Sequence, residues 1–364
     1  MKRFITVIFL LCLCVSLVAC GSTPSDGGST PSGEKEGLVY LCMQLGDLSF
    51  NDSGWRGCKE SAEKYGLDTF AIELGNDTST FEAAFLDACD SGKYKYLVTQ
   101  SNNTLSDLVL KYAPDYPDMK FICFDIAYGT EIPYDNVTGI AYEQNDGSYL
   151  AGMLAARLTK SGKVATITGN DVPVLNDFFA GFIDGALSVN PNIKVTVSFT
   201  NSWDAAVAKE VTAQMFADDI DVVFALNGSG SWDACNEAGG LEAGKYIIGV
   251  DDDQWAMYQN TDDADLAEPI VTSMMKNVGN SIIACFDKFM NGDDSVWGVV
   301  ELQGIEEGAI DLAYNDHYKE IVSAEVQAEI SAARDDIISG KINPKSYFDF
   351  ANYDEWAKYR DTVA

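Results

Sequence analysis

Histidine is almost absent from this chain of 364 residues, and the only one is His317. Zinc sites of the HExxH type need two histidines on one helix, so the sequence excludes them. Basic residues are also scarce, with 24 lysines and arginines against 56 acidic residues and a formal net charge of −32. A nucleic-acid partner requires a basic face that neutralises phosphates, so we expect no nucleic acid to bind. The same deficit argues against electrostatic docking onto anionic lipid headgroups.

Long hydrophobic runs are missing after the N-terminus, and no later stretch approaches the roughly 18 apolar residues of a membrane-spanning helix. Lys2 and Arg3 precede an apolar run from Ile5 to Val18, which is short for a span and typical of a secretory signal. The run ends in Leu-Val-Ala followed by Cys20, a pattern that resembles a bacterial lipobox. We therefore predict that residues 1–19 are a signal peptide and that Cys20 is lipidated. An ordinary signal peptide that contains cysteine is the alternative.

The segment after Cys20 is rich in serine, glycine, threonine and proline. Such a composition buries too little apolar surface to fold, so we expect residues 20–36 to form a flexible tether. A lipid on Cys20 and this tether would hold a globular body at the extracytoplasmic face of the cell membrane.

Six cysteines remain beyond Cys20, and none of them belongs to a CxxC pair. An even number in an exported protein is compatible with disulfides. Cys42 and Cys123, however, lie within apolar runs, where cysteine usually acts as a small hydrophobic residue. The sequence favours free thiols, with disulfide pairing as the alternative.

Short apolar runs alternate with helical patterns from residue 38 onward. The first run, residues 38–43, is continuously apolar, as in a strand buried on both faces, and after about residue 145 the alternation begins again. Two such series predict an α/β protein with two doubly wound, parallel-sheet lobes and a hinged cleft between them. We place residues 37–139 and about 253–292 in the first lobe. Residues 140–252 and about 293–364 form the second.

Polar and aromatic residues just after the predicted strands are the candidates for ligand contact, because doubly wound sheets bind ligands beyond the carboxyl ends of their strands. They are Phe50, Asn51, Asp52, Asp125, Phe178, Trp203, the loop 227–231 and the run 251–254. The three aspartates at 251–253 lack the spaced ligands and the glycine of a calcium loop, so we expect no metal there.

Five motifs follow one another in order along the chain. They are GDLSFNDSGW at 46–55, DGSYLAG at 146–152, PVL at 173–175 with Phe178 and Gly181 close behind, GVDDDQ at 249–254, and TSMMK at 272–276. Together, over about residues 38–342, they resemble the basic membrane protein family of ABC-transporter substrate-binding lipoproteins, the purine nucleoside receptors. The resemblance implies a type I periplasmic-binding-protein fold and a nucleoside ligand without a cofactor. It also implies an ABC permease and its ATPase subunits as partners.

The resemblance also implies which residues touch the ligand. Phe50 and Trp203 match the two positions that stack on the purine base, with Phe178 as a third aromatic side chain, and flat polarisable rings suit such faces. Asp251 and Lys276 match the ribose-binding pair, since a carboxylate and an ammonium group both bond to vicinal hydroxyls.

Four further residues complete the expected site. Asp125 matches an acid that accepts hydrogen bonds from the purine edge, Gly228 would let the backbone approach the sugar, and Asn51 and Asp253 lie beside these positions. The chain departs from the family at residues 42–44, Cys-Met-Gln, where members commonly carry an acid that reads the base. Either Gln44 or Asn51 is then the substitute, and the choice of nucleobase stays open.

Three other functions stay open as alternatives. Two aromatic faces and an acid also suit a pyranose, so a receptor for a sugar or another small polar metabolite is the nearest of them. A surface protein with a vestigial cleft is the second. The third is an enzyme that cleaves a glycosidic bond, which needs two carboxylates at a defined separation. Because the sequence contains no GxSxG, GxGxxG or GxxxxGK[ST] motif, we expect no catalytic residues.

Overall fold

Strands and helices alternate along the part of the chain that the computed structural model describes, residues 36–101, 104–259 and 261–363. The strands are β1 Gly37–Cys42, β2 Asp68–Glu73, β3 Tyr94–Gln100, β4 Lys120–Phe124, β5 Val137–Tyr142, β6 Lys163–Thr168, β7 Lys194–Phe199, β8 Val222–Ala225, β9 Tyr246–Asp251, β10 Ile270–Lys276, β11 Val300–Gln303 and β12 Ile310–Leu312. The α-helices are α1 Phe50–Tyr65, α2 Phe81–Asp90, α3 Thr104–Tyr112, α4 Gln144–Leu158, α5 Pro173–Val189, α6 Ala205–Ala217, α7 Ser229–Glu237, α8 Gln254–Tyr258, α9 Val278–Met290, α10 Asp316–Ile321, α11 Ala324–Ile338 and α12 Tyr353–Asp361.

The strands form two six-stranded sheets. Their orders are β11-β5-β4-β3-β1-β2 and β12-β10-β9-β8-β6-β7. All the paired strands are parallel except β10 and β12, which are antiparallel. The second sheet repeats the order of the first, so that β1 to β5 correspond one by one to β6 to β10. The predicted fold class, two doubly wound parallel lobes, is confirmed.

The apolar runs form strands because helices cover both faces of each sheet. In β1, Leu38, Tyr40 and Cys42 pack into one core cluster, while Val39 and Leu41 pack into another on the opposite face. Alternate side chains of a strand point to opposite faces, so a strand buried on both sides has no polar stripe. This is why the sequences of these strands are continuous apolar runs.

The chain crosses between the lobes three times, and the crossings revise the expected lobe boundaries. They lie between β5 and α4, between β10 and α9, and between β11 and β12. We expected residues 253–292 in the first lobe, but β10 pairs with β9 and belongs to the second sheet. The second sheet needs an equivalent of β5, and β10 supplies it. In the other direction, β5 runs to Tyr142 and β11 pairs with it, so both stay in the first lobe.

The helices α4 and α5 pack unusually closely through glycines in two of the sequence motifs. A Cβ atom on Gly152 would overlap the carbonyl oxygen of Phe182, and one on Gly181 would overlap that of Asn145. A Cβ atom on Gly185 would overlap the carbonyl oxygen of Tyr149 in the same way. These motif glycines therefore serve helix packing in the second lobe.

The C-terminal segment docks onto the second lobe. Trp356 in α12 is fully buried in the core, and the Val195 backbone N–H in β7 donates to the carbonyl of Val363. The Asp177 carboxylate in α5 accepts from the Ser346 hydroxyl at 2.6 Å and from the Tyr347 backbone N–H at 2.9 Å. These bonds tie the last twenty or so residues to α5.

The six cysteines beyond Cys20 are all buried and carry free thiols. Burial raises the pKa of Cys123 to about 12, so this thiol stays protonated and unreactive. Within the described ranges, no helix has both the length and the apolar character needed to cross a bilayer. The predicted signal peptide, Cys20 and most of the tether lie outside the described residues.

Asp146, in the first turn of α4, generates a prediction about pH. Burial, followed by the nearby charges of Glu143 and Asp177, raises its pKa from 3.8 to about 7. Because the folded-state pKa lies above the unfolded value, this carboxyl progressively lowers stability as the pH rises from about 4 through about 7. We expect Asp146→Asn to raise the thermal unfolding midpoint at pH 8 by at least about 3 °C, with the gain fading towards pH 4.

Thermal unfolding of both proteins between pH 4 and pH 8 measures this effect. The difference between the two curves reports the titration of Asp146 together with its effect on Asp177, whose pKa burial also raises, to about 6. A gain that is the same at every pH, or a loss at pH 8, would contradict the assignment.

Candidate ligand site in the cleft

Two aspartates lie at equivalent points of the two lobes. Asp125 directly follows β4, Asp251 is the last residue of β9, and these strands occupy the same place in their sheets. Both residues have positive φ angles, 62° and 70°. Aspartate tolerates this left-handed conformation better than most residues, because its short side chain bonds locally. The chain therefore turns sharply at both acids, at the carboxyl edge of each sheet.

Lys276 joins the lobes through an ion pair with Asp125. The distance between Lys276 Nζ and Asp125 Oδ1 is 2.8 Å, and the two side chains are only 3% and 13% exposed. Lys276 ends β10 of the second sheet, while Asp125 belongs to the first lobe, so the bond crosses the cleft. A charge buried this deeply is tolerated only when it is paired.

Three aromatic rings surround the same ammonium group. Lys276 Nζ lies 4.9 Å from the ring centroid of Phe50, 5.0 Å from that of Phe178 and 5.5 Å from that of Tyr142. At these distances the ring faces attract a cation. We call Lys276, Asp125 and the three rings the lysine cluster. It brings together four of the residues that the sequence predicted, Phe50, Asp125, Phe178 and Lys276, and adds Tyr142.

Asp251 makes a second bond between the lobes. Its Oδ2 accepts a hydrogen bond of 2.7 Å from the Ser49 hydroxyl, next to Phe50. Burial raises the pKa of Asp251 to about 6, against the opposing effects of the Lys276 charge and the Ser49 hydrogen bond. The resemblance makes Asp251 and Lys276 one ribose-binding pair, and in the structure each has a different partner, because Lys276 pairs with Asp125 and Asp251 accepts from Ser49.

Asn51 and Asp253 use their side chains to hold the local chain. Asn51 Nδ2 donates to Asp47 Oδ2 at 2.7 Å, and Asn51 Oδ1 accepts from the Met43 backbone N–H at 3.4 Å. Asp253 Oδ1 caps α8 by accepting from the Ala256 N–H at 3.2 Å, and it also accepts from the Asn315 amide. The structure thus gives both residues a positioning role at the edge of the cleft.

Trp203 and Gly228 lie on the carboxyl edge of the second sheet. Among the described residues, no hydrogen bond or ring contact links them to the lysine cluster. The Trp203 side chain is 52% exposed, and its indole covers Gly169 so closely that a Cβ there would come within 2.6 Å of Cε2. With the Asn170 amide oriented to satisfy both of its ends, its oxygen accepts from the indole N–H at 3.2 Å. Gly228 has φ 77° and is the N-cap residue that precedes α7.

Sequence reasoning missed two residues of the site. Ser49 precedes Phe50 in the first motif, and only the fold shows that it reaches Asp251 from the other lobe. Tyr142 ends β5, which is the counterpart of β10, so it occupies in the first lobe the place that Lys276 occupies in the second. The signal for Tyr142 was its position as the last residue of an apolar run.

The ion pair across the cleft generates a second prediction. Removing one partner leaves the other charge buried and unpaired, so we expect Lys276→Met and Asp125→Asn each to lower the free energy of unfolding by about 3 kcal/mol. Asparagine also tolerates the positive φ of Asp125, which keeps the backbone unchanged. The double variant should lose at least about 1.5 kcal/mol less than the sum of the single losses.

Urea unfolding of the four proteins completes this double-mutant cycle. The exposed pair between Lys111 and Glu82, with side chains 59% and 48% exposed, provides the control. Lys111→Met should cost less than about 1 kcal/mol, because water screens such pairs. Strict additivity of the Lys276 and Asp125 losses would show that the two groups do not interact.

Comparisons with known proteins place this chain in a family. The family model described as "ABC transporter substrate-binding protein PnrA-like" matches residues 38–346. The nucleoside-binding protein BmpA of an ABC transporter in Lactococcus lactis subsp. cremoris is 29% identical over 95% of this chain and 99% of its own length. Basic membrane protein A of Borreliella burgdorferi is 27% identical over 94% of this chain and 98% of its own length.

A solved structure supports the fold. The solute-binding protein of an ABC transporter system from Aeropyrum pernix K1 superposes with a TM-score of 0.77 at 21% identity, covering 90% of this chain and 97% of the other. Together with the match to most of the chain, these likenesses identify the protein as a member of the PnrA-like family of ABC-transporter substrate-binding proteins.

Proposed function

We propose that the protein captures a nucleoside, most specifically a purine nucleoside, in the cleft between its lobes and delivers it to an ABC permease. The observation that carries this proposal is the arrangement of Asp125, Asp251 and Lys276 beside the Phe50 ring. These residues lie where strands of the two sheets end. A relative of 29% identity that is named a nucleoside-binding protein supports it.

A bound ligand would replace hydrogen bonds that Asp251 and Lys276 now form between the lobes. A ribose offers two adjacent hydroxyls, which can donate to Asp251 and accept from Lys276. The Ser49 hydroxyl already occupies one acceptor position of Asp251, so a ligand hydroxyl there would replace a bond of the same kind. The base would stack on Phe50 from the first lobe and Trp203 from the second, and a stacked base contributes about 1–3 kcal/mol.

The first strand offers little for reading the base. Cys42 is fully buried, and its Sγ faces the carbonyl of Ile72 at 3.9 Å. Asn51, one of the two expected substitutes, is engaged by Asp47 and Met43. Gln44 is exposed and remains the other candidate there. In this proposal Asp125 is the principal acid that accepts from the purine edge.

Calorimetric titration with a panel of ligands tests the function. We expect guanosine, adenosine or inosine to bind, and the 2′,3′-dideoxy forms to bind at least tenfold more weakly, because a site built to bond hydroxyls rejects an analogue that lacks them. Asp251→Asn should reduce this preference. Free ribose, arabinose and adenine are the controls.

Each result of the ligand panel supports one function and contradicts the others. Binding that needs both base and ribose supports a nucleoside receptor. Tight binding of a free sugar with no gain from the base would replace it by a sugar receptor, and release of free base from a bound nucleoside would indicate an enzyme. Equal affinities for ribo and dideoxy ligands would remove Asp251 and Lys276 from ribose binding.

The proposed location is the extracytoplasmic face of the cell membrane, through a lipid on Cys20. We expect Cys20→Ser to release the protein from the membrane fraction or to block removal of residues 1–19, since serine cannot carry the thioether-linked lipid. Fractionation of cells that express the two full-length chains measures this. A variant that partitions and migrates as the wild type does would refute the lipid anchor.

A further inference from the structure

A buried hydrogen-bond acceptor at the cleft edge of the second lobe has no partner. Asn227 follows β8 and is only 8% exposed, yet its Oδ1 atom makes no hydrogen bond among the described residues. Leaving such a group unsatisfied typically costs about 1–3 kcal/mol, and native proteins rarely do so without a reason. None of the roles assigned above uses this atom.

The neighbours of Asn227 fix the direction in which this oxygen points. Asn227 Nδ2 donates to Thr200 Oγ1 and to the Ser202 carbonyl, both at 3.1 Å. A carbonyl only accepts, so the nitrogen must face Ser202 and the oxygen must face away. The same two bonds hold the turn after β7 that carries Trp203.

The sheet register brings the Asn227 amide beside the Trp203 indole. Ile167 in β6 lies opposite Ala225 in β8, and two residues beyond this last pair the chains reach Gly169 and Asn227. On the other side, Thr168 lies opposite Phe199, which puts Thr200 next to Gly169. The amide of Asn227 therefore reaches across Gly169 to Thr200. The indole of Trp203 occupies the space above the same glycine.

We propose that Asn227 determines which base is bound: its Oδ1 accepts a hydrogen bond from an N–H group on the edge of a base stacked on Trp203. This inference rests on the proposed nucleoside function. An aromatic face and an acceptor at its side match the two features of a purine, a flat ring and a donor in the plane of that ring. Base reading would thus be assigned partly to the second lobe, in a chain whose first strand lacks an acid.

Pairs of nucleosides that differ by one donor test the proposal. Adenosine and purine riboside differ by the 6-amino group, guanosine and inosine by the 2-amino group, and inosine and 1-methylinosine by the N1 hydrogen. In at least one pair we expect the wild type to prefer the ligand with the donor by tenfold or more. Asn227→Ala should reduce that ratio to below threefold.

Two further variants separate recognition from structure. Asn227→Asp keeps an acceptor at this point but sets its second oxygen against the Ser202 carbonyl, so it should weaken all nucleosides alike and keep the preference. Asn170→Ala removes the acceptor of the Trp203 indole N–H without touching Asn227, so it should weaken all nucleosides alike and leave each ratio unchanged. Because a ratio cancels any uniform loss of affinity, a poorly placed indole cannot imitate the loss of the acceptor.

The outcomes separate the role of Asn227 from the nucleoside-binding function on which it rests. If nucleosides bind but no pair discriminates, or if the preference survives Asn227→Ala, Asn227 does not read the base and the nucleoside function stands. If no nucleoside binds to the wild type, the function fails and the inference falls with it. A preference that is lost in Asn227→Ala and kept in Asn227→Asp establishes the role.

Discussion

The buried ammonium group of Lys276 is the constraint on which the cleft depends. A lysine with a side chain only 3% exposed must find an anionic partner, and the partner lies in the other lobe. Bringing Asp125 within 2.8 Å of it closes the cleft at this point and gathers the rings of Phe50 and Phe178 around the charge. The same charge opposes the rise in the pKa of Asp251 that burial causes. Lobe closure and the electrostatics of the site therefore have one origin.

The repeated strand order explains why two acids stand at the cleft. Because β4 and β9 hold the same place in their sheets, Asp125 and Asp251 emerge at matching points. The next strands, β5 and β10, end in Tyr142 and Lys276. The lobes are thus alike in geometry but differ in chemistry, since one offers a ring where the other offers a cation. A ligand held between them meets two different faces, which fixes its orientation.

Periodicity and strand-end position predicted most of the fold and selected Phe50 and Asp125 as candidates, whereas Lys276 came from the family resemblance. The structure brings these three side chains together where strands of the two sheets end. Asn51 and Asp253 show the limit of this reasoning: residues that suit a ligand also suit a turn or a helix cap, and only the contacts distinguish the two. The sheet to which β10 belongs and the bond from Ser49 to Asp251 depend on long-range pairing, which local pattern does not encode.

The bonds that already close the cleft determine where affinity can come from. Asp251 and Lys276 have partners before any ligand enters, so a hydroxyl that binds them replaces one hydrogen bond by another, and only the difference between the two bonds contributes to affinity. The exposed indole of Trp203 has no such prior partner on its open face. Covering it with a flat apolar ring removes surface from water, which is favourable without any exchange. In the proposed function, the polar groups of this cleft would therefore select the ligand, and its aromatic surfaces would supply most of the binding free energy.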